Sequence, residues 1–189
     1  MQGRMSLYAD GGTLGPGNPS PFGGTWAWCL VDEQDVPVQS QAGLVLPATN
    51  GKYRDPAVVR GIDLSIYIDT VSDDVVTNNQ SEFYAILHGL EAMGARWSGQ
   101  VCSDSQVTLG RFFDRWKLTN IPSEWAKRMG NVLRRTGQLT PVLHQGHPTK
   151  ADLVSGLGKK RNLPVSKWNV WCDEECGRVR AEYERAKGT

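Results

Sequence analysis

Four acidic residues on separate segments of the sequence suggest a chemistry: Asp10, Glu82, Asp104 and Asp173. Carboxylate oxygens are hard ligands that suit Mg²⁺ or Mn²⁺, and four of them close together repel one another unless a cation is present. Two such ions about 4 Å apart can activate a water and stabilise the leaving oxygen in phosphodiester hydrolysis. If the four carboxylates converge, the sequence predicts a two-metal nuclease site; otherwise they are solvated surface acids.

The charge is unevenly distributed along the chain, although the net charge is only +1. Residues 1–104 hold 5 Lys and Arg against 12 Asp and Glu, whereas residues 105–189 hold 16 against 8. This division is typical of a protein whose acidic half gathers cations and whose basic half meets phosphates. Taken alone, it is also compatible with an uneven surface charge that has no function.

The first half of the chain predicts strands that must position Asp10. Residues 7–10 form a strand-like run that stops at Asp10, and residues 25–31 and 38–46 predict two more strands of an antiparallel meander. Apolar residues alternate with polar ones across residues 62–68, which predicts a further strand. The pattern leaves open whether that strand extends the meander or forms a separate hairpin.

From Asn78 onward the apolar spacing changes to that of a helix packed on a sheet, with Glu82 near the helix start. The predicted elements that follow are a strand ending in Asp104, a helix through Trp116, a helix after Ser123, a strand over 139–144 and a last helix from Lys167 or Trp168 that carries Asp173. This order predicts one α/β domain over residues 1–189, with a mixed sheet and helices on both of its faces.

Cysteine usage and hydropathy indicate the cellular compartment in which the protein is expected. The four cysteines lack the spacing of a disulfide framework, and the first residues do not resemble a signal segment. No apolar run approaches the roughly 18 residues that a membrane span needs. We therefore expect a cytoplasmic monomer without a membrane segment.

Five short segments around these residues form an ordered series. They read Tyr-Ala-Asp-Gly-Gly at 8–12, Thr-Asn-Asn-Gln-Ser-Glu at 77–82, Ser-Asp-Ser-Gln at 103–106, His-Gln-Gly-His-Pro at 144–148 and Asn-Val-Trp-Cys-Asp at 169–173. In this order they closely resemble the five signatures of the ribonuclease H family and span most of the chain. The resemblance implies a ribonuclease H-like α/β fold with a mixed sheet of five or slightly more strands.

The resemblance also implies an activity and a cofactor. Family members cut the RNA strand of RNA–DNA hybrids and leave 5′-phosphate and 3′-hydroxyl ends, so the hybrid is the expected partner. The four carboxylates match metal-binding residues, which implies two Mg²⁺ ions with Mn²⁺ as a substitute. His144 matches a histidine that assists proton transfer, a role for which an imidazole is chemically suited.

Further matches concern the substrate. Asn78 and Asn79 match residues that read the minor groove of the hybrid, where the 2′-hydroxyl can be sensed. Thr77 matches a contact to a phosphate of the DNA strand, and Gly11 matches a substrate contact beside the first carboxylate.

The sequence departs from the family pattern in several places. Gly12 stands where the family usually has serine, and residues 47–77 and 149–168 are interpreted as insertions. The basic substrate-gripping protrusion of the family is largely absent before Pro122. We expect the basic turn Lys159, Lys160 and Arg161, together with Lys127, Arg128, Arg134 and Arg135, to replace it; a merely solvated loop is the alternative.

Other functions remain open. Junction resolvases and DNA nucleases share this fold, and a catalytically silent nucleic-acid-binding module is the alternative outside enzymology. The presence of all four carboxylates argues against the silent module. A zinc site built from His144, His147, Cys172 and Cys176 is a further alternative, although the two cysteines fit the apolar stripe of the last helix.

Overall fold

The computed structural model describes residues 5–48, 56–158 and 162–188, and its centre is a six-stranded mixed sheet with helices on both faces. The strands are β1 Ser6–Thr13, β2 Gly24–Val31, β3 Pro37–Pro47, β4 Tyr67–Val71, β5 Gly99–Ser103 and β6 Leu139–Leu143. The helices are α1 Pro56–Gly61, α2 Asn78–Ala92, α3 Gln106–Phe113, α4 Ser123–Arg135, α5 Lys150–Ser155 and α6 Lys167–Lys187.

The strand order is β4-β3-β2-β1-β5-β6. The antiparallel meander of β1, β2 and β3 is confirmed, and β5 and β6 join it in parallel with β1. The prediction that Asp10 ends its strand is wrong. Strand β1 continues to Thr13, and Asp10 pairs with Ala27 of β2. However, β5 pairs only with residues 6–8 of β1, so Asp10 lies where the two parallel strands part.

Each face of the sheet carries its own apolar core. On one face, α2 packs through Phe83 and Leu87 against Trp28. On the other face, α6 packs through Val179 against Cys29. Successive side chains of the central strands point to opposite faces of the sheet, so these strands contribute to both cores. None of the helices in the described residues is long and apolar enough to span a membrane.

The strand predicted over residues 62–68 is only partly correct. The chain turns at residues 62–66, and the strand is Tyr67–Val71, which adds to the edge of the sheet in parallel with β3. Ile62 and Ile66 are buried in the α6 core, whereas Leu64 is fully exposed. The apolar alternation thus arose from a turn that buries residues four apart. The helix predicted through Trp116 also ends earlier, at Phe113.

Helix α4 presents fewer free cations than its sequence indicates. Arg128 binds Glu91 of α2 in a fork, with Nε 2.9 Å from Oε1 and Nη2 2.6 Å from Oε2, and it also approaches Asp69. Arg135 donates 2.6 Å to the Glu91 carbonyl oxygen. These two arginines join α4 to α2, and the phosphate contacts expected of Lys127, Arg128, Arg134 and Arg135 remain predictions.

Candidate metal and nucleic-acid site

Three of the four predicted carboxylates meet at the end of the β1–β5 pairing. Ligand oxygens of Asp10, Glu82 and Asp104 all lie within 4.8 Å of one another. They come from β1, the first turns of α2 and the residue that follows β5. Asp173 of α6 lies outside this group of three but lines the same cavity of about 220 Å³ with Asp10 and Asp104, here called the carboxylate cavity.

The start of α2 reaches Asp10 because glycine lies beneath it. A Cβ on Gly11 would stand 2.4 Å from the backbone nitrogen of Glu82 and 2.4 Å from the carbonyl carbon of Ser81. A Cβ on Gly24 would stand 2.0 Å from Ser81 Oγ. Only residues without a side chain permit this approach of helix to sheet, and the approach is what brings Glu82 to Asp10.

The first turn of α2 is fixed by a capping box. The Thr77 hydroxyl oxygen accepts from the Gln80 backbone N–H at 3.1 Å, and Gln80 Oε1 accepts from the Thr77 backbone N–H at 2.7 Å. Asn78 Nδ2 donates to Glu82 Oε1 at 2.7 Å. Asn78 therefore orients a carboxylate, whereas Asn79 is exposed beside it.

Backbone lies close to the Asp10 and Asp104 carboxylates. Asp10 Oδ1 accepts from the Gly11 N–H at 2.7 Å. A Cβ on Gly146 would stand 2.4 Å from Asp104 Oδ2, so the loop after β6 lies directly against Asp104.

Burial and mutual repulsion oppose ionisation at this site. Burial, followed by the Asp104 carboxylate, raises the pKa of Asp10 well above its ordinary value. Burial raises the pKa of Glu82 to about 7 despite hydrogen bonds that lower it. Burial and the Asp173 charge raise the pKa of Asp104, while His147 lowers it. Together these carboxylates are poised to exchange protons for a cation.

The two histidines of the loop after β6 occupy different environments. His144 is buried, packs edge-on against Tyr8 and does not line the carboxylate cavity; its burial lowers its pKa to about 4. His147 lines the cavity, is exposed, and places Nδ1 3.7 Å from Asp173 Oδ2. His147 adopts a left-handed φ of 48°. The structure therefore does not bring the predicted catalytic histidine, His144, to the cavity, but it brings His147 there.

Asn169 is a site residue that the sequence analysis did not single out. It lines the carboxylate cavity and is 2% exposed, and its Oδ1 has no hydrogen-bond partner among the described residues. A buried amide oxygen without a partner is rare and needs explaining. Its position four residues before Asp173, on an adjoining helix face, was the signal available in the sequence.

The predicted substrate contacts are distributed around this cavity. Gly11 lies beneath α2, and Thr77 lines a second cavity of about 600 Å³ with Gln80, Asn120 and Ser123. Lys159, Lys160 and Arg161 lie outside the described residues. The chain on either side of them is joined by a backbone hydrogen bond from Gly158 to Leu163, and Gln145 donates to the Pro164 carbonyl oxygen at 3.0 Å.

The donor set fits a hard cation. Within the described residues, the acids, histidines and cysteines close enough to share an ion are Asp10, Glu82 and Asp104. Asn169, whose buried Oδ1 has no hydrogen-bond partner among those residues, lines the same cavity. Cys172 and Cys176 are buried in the α6 core with their sulfurs near backbone oxygens of β1. The cysteines therefore do not join a zinc site with the histidines.

We expect Mg²⁺ to raise the melting temperature of the chain more at about pH 8 than at about pH 5.5. The pKa of Glu82 rises from 4.5 to about 7 in the folded chain, so without a cation the folded state binds more protons than the unfolded state, and stability is lost as pH rises through this window. A cation at about 100 times its Kd adds about 2.7 kcal/mol to the free energy of unfolding. The gain is smaller at low pH, where the cation must displace protons. Scanning fluorimetry with Mg²⁺ or EDTA measures this, and equal shifts at both pH values contradict it.

Comparison with known proteins finds similarity at the level of structure. No protein-family model and no curated protein matches the sequence. LC11-RNase H1, isolated from compost by a metagenomic approach, is similar with a TM-score of 0.58 at 14% identity, covering 96% of this chain and 98% of that chain. The complex of LC11-RNase H1 with RNA/DNA hybrid gives a TM-score of 0.55 at 14% identity, covering 93% and 99%.

A third similar structure is the N-terminal RNase H domain of a Mycobacterium tuberculosis protein, determined as a fusion with maltose-binding protein. Its TM-score is 0.56 at 14% identity, and the match covers 98% of this chain and 99% of that chain. Likeness over nearly the whole of both chains at such low identity identifies a shared fold.

Proposed function

From the ribonuclease H fold of this chain, we propose that it is a metal-dependent endonuclease that hydrolyses the RNA strand of RNA–DNA hybrids, leaving 5′-phosphate and 3′-hydroxyl ends. The observation that carries the proposal is the convergence of Asp10, Glu82 and Asp104 within 4.8 Å, with Asp173 across the cavity. Solvated surface acids from three separate segments have no reason to meet at a place where two of them, Asp10 and Glu82, are buried.

The chain's own carboxylates would hold the cofactor. Asp10, Glu82, Asp104 and Asp173 are the residues we assign to two Mg²⁺ ions, which Mn²⁺ can replace. When bound, these ions supply a Lewis acid that activates water and compensates the charge of the leaving oxygen. The hydrogen bond from Asn78 keeps Glu82 in place, and burial of Asp10 strengthens every charge interaction in the cavity.

The substrate contacts follow from the surroundings of α2. The Thr77 hydroxyl oxygen already accepts a backbone N–H, so its own proton is free to be donated to a phosphate of the DNA strand in the second cavity. Exposed Asn79 and the partly exposed Asn78 lie at the same helix start, where they can read the minor groove and the 2′-hydroxyl. Gly11, directly beneath the start of α2, remains a proposed substrate contact beside Asp10.

We assign proton transfer to His147 rather than to His144, because only His147 lines the carboxylate cavity. His147→Asn keeps a residue that tolerates the left-handed backbone and removes the titratable imidazole. We expect it to lower kcat about 100-fold with little change in KM. His144→Phe, within the buried site, should alter the melting temperature and leave kcat nearly unchanged. Steady-state cleavage of labelled hybrid measures both, and a loss of kcat confined to the His144 variant contradicts the assignment.

The remaining sequence-based expectations are part of the same proposal. We treat residues 1–189 as one domain, with residues 47–77 and 149–168 as insertions and Lys159, Lys160 and Arg161 as phosphate contacts. Four free, buried cysteines support a reducing, cytoplasmic setting, and a monomer is proposed.

Charge reversal of the basic turn Lys159, Lys160 and Arg161 should weaken hybrid binding and flatten its salt dependence.

A cleavage assay on four labelled substrates tests the function. The substrates are RNA–DNA hybrid, double-stranded RNA, double-stranded DNA and a four-way junction, each with Mg²⁺, Mn²⁺ or EDTA. Metal-dependent cutting of only the RNA strand of the hybrid is the expected result. Cutting of the junction or of the DNA duplex instead assigns the chain to another nuclease class, and binding without any cutting assigns it to the silent modules.

A further inference from the structure

The side chain of Arg180 packs directly over Gly12, two residues after Asp10 in β1. A Cβ on Gly12 would stand 2.9 Å from Nη2 of Arg180. Gly12 follows Asp10 by two residues in β1, so a side chain there would point to the same face of the sheet as Asp10. The guanidinium of Arg180 therefore lies where the side chain of residue 12 would stand.

Arg180 differs from its neighbouring arginines on α6. Arg178 pairs with Glu175 at 2.9 Å, and Arg185 pairs with Glu182 three residues before it. Arg180 has Gly177 three residues before it, and it makes no ion pair with any described residue. Its charge is exposed and directed along the sheet face that carries Asp10.

Gly177 lies between Asp173 and Arg180 on one flank of α6, because residues at i, i+4 and i+7 share a helix face. Glycine inside a helix costs about 1 kcal/mol relative to alanine, and packing does not require it here, since a Cβ at residue 177 would meet no neighbouring atom within 4 Å in the described part of the chain. The glycine leaves the helix surface bare between a predicted metal ligand and an unpaired arginine.

We propose that the Asp173–Gly177–Arg180 flank of α6 binds the sugar-phosphate backbone of the cleaved strand, with Arg180 contacting a phosphate beyond the one at the carboxylates. Asp173 and Arg180 are seven residues apart, or about 10 Å along the helix axis, so they meet different phosphates. The bare surface at Gly177 lets the strand lie close to the helix between them. This inference rests on the proposed nuclease function and adds a binding track to it.

The first test separates Arg180 from its paired neighbour. Arg180→Gln should raise KM for hybrid cleavage about 10-fold, leave kcat within about 2-fold, and reduce the slope of log affinity against log salt by about 0.7 to 0.9, the value for one phosphate contact. Arg178→Gln, the matched control, should change neither KM nor the slope. Gly12→Ser should displace the guanidinium and raise KM in the natural chain but not in the Arg180→Gln background.

The second test uses the bare helix surface. Gly177→Gln should raise the melting temperature by about 2 to 4 °C while raising KM about 10-fold, a combination that a purely structural glycine does not produce. A KM unchanged by both Arg180→Gln and Gly177→Gln overturns the inference.

Direct binding distinguishes this inference from the proposed function. Anisotropy of fluorescent hybrid in EDTA at low salt reports affinity without cleavage. If the natural chain binds hybrid but never cuts it, the nuclease proposal fails and the Arg180 effect on affinity still decides the binding track. If the natural chain neither binds nor cuts hybrid, both fail.

Discussion

We expect Asp10→Asn to reduce cleavage of RNA–DNA hybrid by more than about 10³-fold, the scale expected when a charged group at a reaction centre is lost, while the chain stays folded. The amide can still accept the Gly11 N–H that Asp10 accepts at 2.7 Å. The substitution removes a carboxylate whose pKa is raised by burial and by its acidic neighbours. In EDTA at about pH 8, the melting temperature of the variant should therefore equal or exceed that of the natural chain.

Two measurements accompany this variant. Mg²⁺ should no longer raise its melting temperature as it raises that of the natural chain. Glu174→Gln, which removes an exposed acid next to Asp173 outside the carboxylate cavity, is the matched control and should retain cleavage within about 2-fold. Full activity of the Asp10→Asn variant is the outcome that rejects the metal assignment.

Gly11→Ala should be strongly destabilising, with a loss of about 3 kcal/mol or more in the free energy of unfolding. The added methyl would meet backbone atoms of Ser81 and Glu82 at 2.4 Å, and backbone cannot move aside as the end of a side chain can. Overpacking of a core typically costs about 1–3 kcal/mol. Here α2 must lift from β1, so Glu82 also leaves Asp10 and cleavage falls with stability.

Gly94→Ala is the comparison for that variant, since a Cβ there meets no described atom within 4 Å. Its free energy of unfolding should change by less than about 0.5 kcal/mol. Urea unfolding followed by tryptophan fluorescence gives both values. A Gly11→Ala chain destabilised by under about 1 kcal/mol shows that α2 and β1 can separate without cost.

Much of the site could be predicted from sequence because each carboxylate lies next to a strong local pattern. The helical stripe of Phe83 and Leu87 positions Glu82, and the buried strand before Asp104 places that carboxylate at the C-terminal end of an interior strand. The apolar stripe of α6 likewise sets the rotation of Asp173. These patterns are local, and burial of one face decides them.

The remainder depended on contacts between distant segments. The motif match favoured His144, but His144 is buried against Tyr8, whereas His147 three residues later lines the cavity. Ile62 and Ile66 have strand-like spacing in a turn, because the α6 core buries both. The i, i+7 spacing on a helix could have placed Arg180 on the flank of Asp173. Its contact with Gly12 could not be predicted, because it joins residues 168 positions apart.

The last helix has a consequence for the protein during its synthesis. Helix α6 supplies Asp173 and packs across β1, β2 and β3 on one face of the sheet through residues such as Val179 and Tyr183. A ribosome-bound chain that has not yet released residues 167–187 therefore has three carboxylates and a sheet with one apolar face uncovered. We expect such a nascent chain to be inactive until α6 emerges and packs on the sheet.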